Sequence, residues 1–298
     1  MSTPRPRWDL ACFSYLAHAQ VLHVTRYPDA DQGTEVGWTF PSLAGDGPLV
    51  ARACAQRGLH TVLVANQTGQ DLTGQQIRQT LETAGVHHRP GPGPAPDHTP
   101  HLTVVTDDAG TRTWFADLTD AHTSLHLADT TPLSTARLAY IDGYTVIADA
   151  AANALRATTA GGTPVLLNLG GDPLHPRLRA AAGHAHLYAV QTSLPEPRSH
   201  EAEHLARTLM AELRPYGAVV TLGALGAYAL TRTSWHRVTA AKTDVTHTHG
   251  AGAAFSAALA AAHLDGHDLP AALHHACAAG TAHCTTVPDL TVPGRTTS

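Results

Sequence analysis

The sequence predicts an α/β fold built on a parallel sheet with helices on both faces, and two observations carry that prediction. Short, unbroken apolar runs recur along most of the 298 residues, each separated from the next by a stretch with helical periodicity. Strands buried on both faces read as such runs, and parallel pairing needs a crossover between them, usually a helix. The chain is 43% hydrophobic and 14% charged, which allows a sizeable core.

The elements follow in order. DLACFSYLA, from Asp9 to Ala17, is the first predicted strand. LVARACAQRG is a helix stopped at Gly58, and HTVLVANQ is the next strand. DLTGQQIRQTLETAG carries helical spacing and ends at Gly85. A connector rich in proline and glycine, Arg89 to Pro100, leads into HLTVVTDDAGTRTWFADL, a hairpin around Asp108-Ala109-Gly110. ARLAYIDGY, TPVLLNLGG, HLYAVQT and GAVVTLG are short strands with helical stretches between them, and the last third is Ala-rich helix. Residues 20–42 and 101–118 break this rhythm and are expected to form a small β-flap standing off the main sheet. With no repeat and no dividing linker, residues 1–298 are read as one domain.

Composition excludes several classes. A net charge of −5 leaves no electrostatic footprint for nucleic acid or an anionic membrane. The first residues make a poor signal peptide, because the short apolar run is broken by His18. No run approaches the roughly 20 apolar residues of a membrane span. Four scattered cysteines fit free thiols in a reducing cytoplasm. The 22 histidines include the groupings His247/His249, His87/His88 and His274-His275 near Cys277, His283 and Cys284. The last group falls on one predicted helix, where adjacent residues diverge, so no metal site is expected and most histidines are expected in solvent.

Four segments carry chemistry. They are Gly69-x-Asp71-x-x-Gly74, the strand end Asp142-Gly143-Tyr144, the turn Gly223-Ala224-Leu225-Gly226, and His249-Gly250-Ala251-Gly252 opening an apolar helix with Phe255. Glycines before a helix leave backbone N–H groups free for an anion. In order, and over nearly the whole chain, these segments resemble the PfkB/ribokinase family of sugar and nucleoside kinases. The resemblance implies a ribokinase-like three-layer sandwich, a mainly parallel central sheet and a β-flap acting as a lid. It also implies ATP with Mg2+ as cosubstrate, which the residues present do not require, and a homodimer formed through the flap.

The departures fall on the chemistry. The family's general base, the Asp closing the Asp-Thr-x-Gly-Ala-Gly-Asp signature, aligns with Ala253, and the Asp opening it with His247. In the early Gly-Gly-x-Gly-x-Asn motif, Ala44 takes the first glycine and Leu49 the sugar-binding Asn, while Gly45 and Gly47 remain. The N-terminal strand's sugar-binding Asp aligns near Ala19, and the Asn of Asn-x-x-Glu near Gln191, with Leu194 at the acid. A positioned base contributes about 10²–10⁴-fold, or about 3–5 kcal/mol of barrier.

The expected function is therefore a nucleotide, nucleoside or sugar-phosphate binder that lacks the base for ordinary phosphoryl transfer. The anion-side residues are Gly223, Gly226, Gly250, Ala251 and Gly252; the substrate side is Gly45, Asp46, Gly47 and Leu49. Each has a bland alternative: tight turns at the glycines, and a turn residue at Asp46. Arg112 and Trp114 are read as an exposed hairpin face. The second reading is an active enzyme with a rewired site, a kinase on an unusual acceptor or a different biosynthetic reaction, with His247 and His249 as substitute bases. A structural module with no ligand is the third.

Overall fold

The computed structural model describes residues 8–286. From β1 (Trp8–Phe13) the chain passes through β2 (Ala17–Val24), β3 (Trp38–Ala44), α1 (Asp46–Ala55), β4 (Thr61–Ala65) and α2 (Leu72–Thr83). Next come β5 (His87–Pro90), β6 (His101–Asp107), β7 (Arg112–Asp117), α3 (Ala121–His126), α4 (Thr131–Thr135) and β8 (Ala136–Asp142). The second half runs through α5 (Ala148–Gly161), β9 (Val165–Asn168), α6 (Pro176–Ala182), β10 (Leu187–Ser193), α7 (Ala202–Leu213) and β11 (Gly217–Thr221). It closes with β12 (Ala227–Thr231), β13 (Trp235–Val238), α8 (Ala251–Leu264) and α9 (Leu269–His283).

Nine strands form one sheet in the order β13-β12-β11-β10-β9-β8-β1-β4-β5. Every pairing from β5 to β11 is parallel, while β12 and β13 are antiparallel. Alternate residues of each central strand face two different cores. Ala11, Phe13, Ala139, Ile141, Leu167 and Val220 pack with α5, α6 and α7 through Leu155, Leu178 and Leu209. Leu10, Cys12, Leu63, Leu138, Leu166 and Val219 pack with α1, α2, α8 and α9 through Val50, Ile77, Leu259 and Leu273. Three layers result, as the sequence predicts. The Ala-rich character of α8 and α9 lets these two helices pack closely: nine residues of α8 are buried.

A second sheet, β3-β2-β6-β7, stands apart. Here β2 alternates buried and half-buried residues, as a strand with one covered face must. The hairpin predicted at Asp108-Ala109-Gly110 joins β6 to β7, and all six residues of β7 are exposed, including Arg112 and Trp114.

Two expectations need correction, and one strand went unforeseen. DLACFSYLA is not one strand: β1 ends at Phe13 and the chain enters the small sheet by Ala17. The break is fixed by Asn66, whose Oδ1 accepts from Leu16 N at 2.7 Å and whose Nδ2 donates to Leu16 O at 2.9 Å. An apolar run does not reveal which sheet it belongs to. The last third is not all helix, because β12 and β13 precede α8; the apolar run of β12 is only Ala227–Leu230, too short to tell strand from helix, and WHRV of β13 is mixed. The edge strand β5 also went unpredicted, since HHRP is polar and ends in proline, as sheet edges allow.

Gly69, Asp71 and Gly74 are accounted for by architecture. Asp71 caps α2 by accepting from Gly74 N at 2.7 Å, and its other oxygen takes Thr99 N at 2.8 Å. The motif pins the start of α2 to the end of the proline-rich connector.

Candidate functional site

The carboxyl ends of β1, β8, β9 and β10 all open on one edge of the sheet, where ligands of open α/β folds sit. Ser14, Asp142 and Asn168 come from the first three ends, and α1 adds Gly45, Asp46 and Gly47. Gly45 has φ +90°, and a Cβ there would lie 2.2 Å from Tyr15 O; a Cβ on Gly47 would lie 2.5 Å from Ser14 Cβ. Only glycine permits α1 to start this close to β1. The close approach delivers Gly47 N to Asp142 Oδ2 at 2.8 Å.

Asp142 is fully buried and is held from four directions. Ser14 Oγ donates to Oδ2 at 2.6 Å, Gly47 N to the same oxygen, and Tyr140 Oη to Oδ1 at 2.8 Å. Asn168 Nδ2 donates to Oδ1 at 3.0 Å and also reaches Asp46 Oδ2 at 3.1 Å. Burial, and then the Asp46 carboxylate, push Asp142 up to about 7; the hydrogen bonds pull the other way but do not prevail. Burial and the same two carboxylates raise Tyr15, Tyr140 and Tyr144. Sequence reading placed Asp46 here and missed Asp142, Asn168 and the tyrosines. The only signal was that Asp142 occupies the strand end just before Gly143-Tyr144.

The second half of the region is the start of α8. Gly250 is the N-cap residue in a left-handed conformation, φ 83°, and α8 begins at Ala251. The N–H groups of Gly252 and Ala253 have no hydrogen-bond partner among the described residues. With the positive end of a 14-residue helix behind them, these free donors have the chemistry an anion cradle needs. Ala253 is buried and carries no chemistry; Ser256, one turn on, donates to Gln191 Oε1 at 3.0 Å. Leu49 Cδ1 would lie 3.7 Å from a Cβ on Gly250, so the apolar residue at the Asn position packs beside the cradle.

His247 and His249 face the small sheet. His249 Nε2 and Ser42 Oγ are 3.0 Å apart, and Phe40 presents its ring to both histidines. Burial, then Arg112, lowers His249 to about 4, and burial, then His283, lowers His247. Both are neutral at pH 7, and at about 4 His249 is a weak proton acceptor. Most histidines are exposed, as expected, but His247 is buried with both ring nitrogens unpartnered. His283, from the end of α9, places Nε2 2.8 Å from His249 O and holds the loop in place.

At the other turn, a Cβ on Gly226 would lie 2.0 Å from Val238 O, so packing against β13 fixes that glycine. Gly223 lies against Glu196, whose Oε1 accepts from Ala224 N at 2.9 Å. Glu196 is the acid that reaches this turn. Leu194, the residue aligned with it in sequence, lies in the core instead.

The donors fit a phosphate better than a hard cation. The α8 cradle offers free N–H groups, whereas the position of the signature's first Asp holds the imidazole of His247, and Mg2+ takes oxygen ligands. Among the described residues, no group of three or more His, Cys, Asp or Glu side chains could hold a metal ion. PfkB kinases of this fold in general use ATP with Mg2+.

Similar folds are known. A microbiome-derived acarbose kinase aligns with 94% of this chain and 93% of its own, at 19% identity and a TM-score of 0.75. An adenosine kinase from Sinorhizobium meliloti gives 15% identity and a TM-score of 0.77 over 94% and 95%. Arabidopsis thaliana ribokinase complexed with ribose and ATP gives 18% identity and 0.70 over 95% and 93%. At these identities the likeness establishes the fold. No curated protein sequence matches the chain. The family model described as pfkB family carbohydrate kinase matches residues 20–289, and the chain accordingly belongs to that family.

Proposed function

We propose that the protein binds a nucleotide, nucleoside or sugar phosphate at the strand ends while lacking the general base of ordinary phosphoryl transfer. The observation that carries this reading is the free N–H pair of Gly252 and Ala253 at the start of α8, beside a buried methyl group where a base would stand. An anion needs the N–H groups, and Ala253 takes nothing from them. ATP is therefore expected to raise the Tm of the full chain, with no release of ADP above background across a panel of sugars and nucleosides. Rapid phosphorylation of any acceptor in the panel, or the absence of any Tm shift with ATP, ADP or a sugar phosphate, overturns the reading.

A second reading draws on one specific observation. Asp142, pushed up to about 7 beside Asp46, is a carboxyl poised near neutral pH, where general bases work best. It supports the rewired-enzyme alternative, and the same panel run with and without Mg2+ detects it.

Homodimerisation and a cytoplasmic location belong to the same proposal. On the edge strand β7, Trp114 is 45% and Phe115 65% exposed, and an unpaired edge bearing aromatics is a surface on which chains pair. Light scattering is expected to give twice the 31.2 kDa chain mass, falling to the monomer in Phe115→Glu; a monomeric wild type refutes the dimer. Four free cysteines fit a reducing compartment. No described helix is long and apolar enough to cross a membrane.

A further inference from the structure

Around Asp46 the pocket is short of hydrogen-bond donors. The Asn168 amide nitrogen lies 3.1 Å from Asp46 Oδ2, 2.8 Å from Tyr140 Oη, 3.0 Å from Asp142 Oδ1 and 3.1 Å from Tyr144 Oη. An amide has two hydrogens and cannot satisfy four acceptors together. Asp142 secures three further donors, and Asp46 has none: its Oδ1 has no partner among the described residues.

A separate side chain points to the same place. Tyr15 is 7% exposed, and its hydroxyl has no hydrogen-bond partner among the described residues. Its ring lies 6.1 Å from that of Tyr144, and after burial the Asp46 and then the Asp142 carboxylate hold its hydroxyl protonated. Both atoms reach solvent at the mouth of the pocket and have no protein partner among the described residues, so a ligand that pairs with both need displace only water. A protonated amine suits this gap, because it brings three donors and a positive charge and has no acceptor to satisfy.

We propose that the acceptor side of this site recognises a protonated amine on a polyol-, sugar- or nucleoside-like molecule, seated on Asp46 Oδ1 with Tyr15 Oη beside it and Asp142 reinforcing the field. The proposal rests on the binding reading above and narrows its ligand. The groups facing the pair are Cys12 and Tyr15 from β1 and the turn after it, Tyr140 and Tyr144 around the end of β8, Asp172 after β9, and Arg112 from the small sheet. Arg112 is the one cation among them and is itself exposed. An ammonium is held best when Asp142 is charged, and burial pushes that carboxyl up to about 7, so binding weakens in acid.

The test uses two probes that differ at one position: protonated Tris, which is an amino triol, and pentaerythritol, in which a hydroxymethyl group replaces the amine. Affinities for the full chain are measured by ligand-observed NMR at pH 5.5 and 7.5, in a non-amine buffer. Tris is expected to bind at least tenfold more tightly than pentaerythritol at pH 7.5, with less advantage at pH 5.5. Asp46→Asn is expected to abolish the difference, Tyr15→Phe to reduce it, and Arg112→Ala to leave it or increase it. Equal binding, absence of Tris binding, or an advantage that survives Asp46→Asn overturns the proposal. ATP-dependent stabilisation, measured on the same samples, reports on the α8 cradle alone. If it persists while the amine preference fails, only the proposed ligand chemistry is wrong.

Discussion

Replacing Asp142 with alanine is expected to cost about 3–5 kcal/mol of stability, since it strands several buried donors at about 1–3 kcal/mol each, less whatever water recovers. Ser14 Oγ, Gly47 N and Tyr140 Oη lose their acceptor at once, while Asn168 Nδ2 keeps Asp46 and the two tyrosine hydroxyls. Relief of repulsion with Asp46 offsets part of the loss. Against a typical total of about 5–15 kcal/mol, the variant is expected to show a large fall in denaturation midpoint at unchanged slope. A change below about 1 kcal/mol would mean that the three stranded donors find other partners. The isosteric Asp142→Asn isolates the charge. The folded carboxyl titrates at about 7 against an ordinary 3.8, so its contribution to stability is complete below 3.8 and is lost as pH rises to about 7. His249, lowered to about 4 from 6.5, acts oppositely: its contribution is present above 6.5 and lost as pH falls toward 4. The difference between wild type and Asp142→Asn removes the histidine part, and the Asn variant is expected to gain relative stability from pH 5 to pH 8.

Ala253→Asp is expected to raise phosphoryl transfer from ATP by about 10²-fold or more over the wild-type background, the lower end of what a positioned base contributes. A carboxylate in the first turn of α8 is favoured by about 0.3–1 kcal/mol. Ala253 is buried, however, so the larger charged side chain costs stability, and the fold of the variant is verified by its Tm before activity is read. The measurement is ADP release with ribose, adenosine and their amino analogues as acceptors. No increase on a folded variant would place the limiting defect at the acceptor contacts, with Leu49 and Ala19 the next to restore. A fast wild type would show that another base already serves.

Periodicity made the sheet and its covering helices readable, because a strand buried on both faces has a composition that no loop shares. The flap hairpin was readable from Asp108-Ala109-Gly110 for a similarly local reason. The anion cradle was visible as Gly250-Ala251-Gly252 because a backbone site is encoded by the residues that form it. The acidic pocket was not. Asp46 and Asp142 lie 96 positions apart in the sequence, and only the neighbouring ends of β1, β8 and β9 bring Ser14, Asp142 and Asn168 together. Glu196 escaped because the bend after β10 carries the acid beyond the aligned position. The burial of His247 was equally invisible, since it depends on Phe40 from one element and His283 from another.

The imidazole of His283, bonded to the carbonyl of His249, fastens the last turn of α9 to the loop that presents the cradle, and Cys284 O adds a second stitch by accepting from Thr246 N at 2.8 Å. If the proposed anion binds, its occupancy is expected to be mechanically coupled to the end of α9. Slower amide exchange around residues 280–284 on addition of nucleotide would report a filled site from outside it. Any fusion or trimming that disturbs those residues would loosen the grip on the anion without touching one atom of the grip itself.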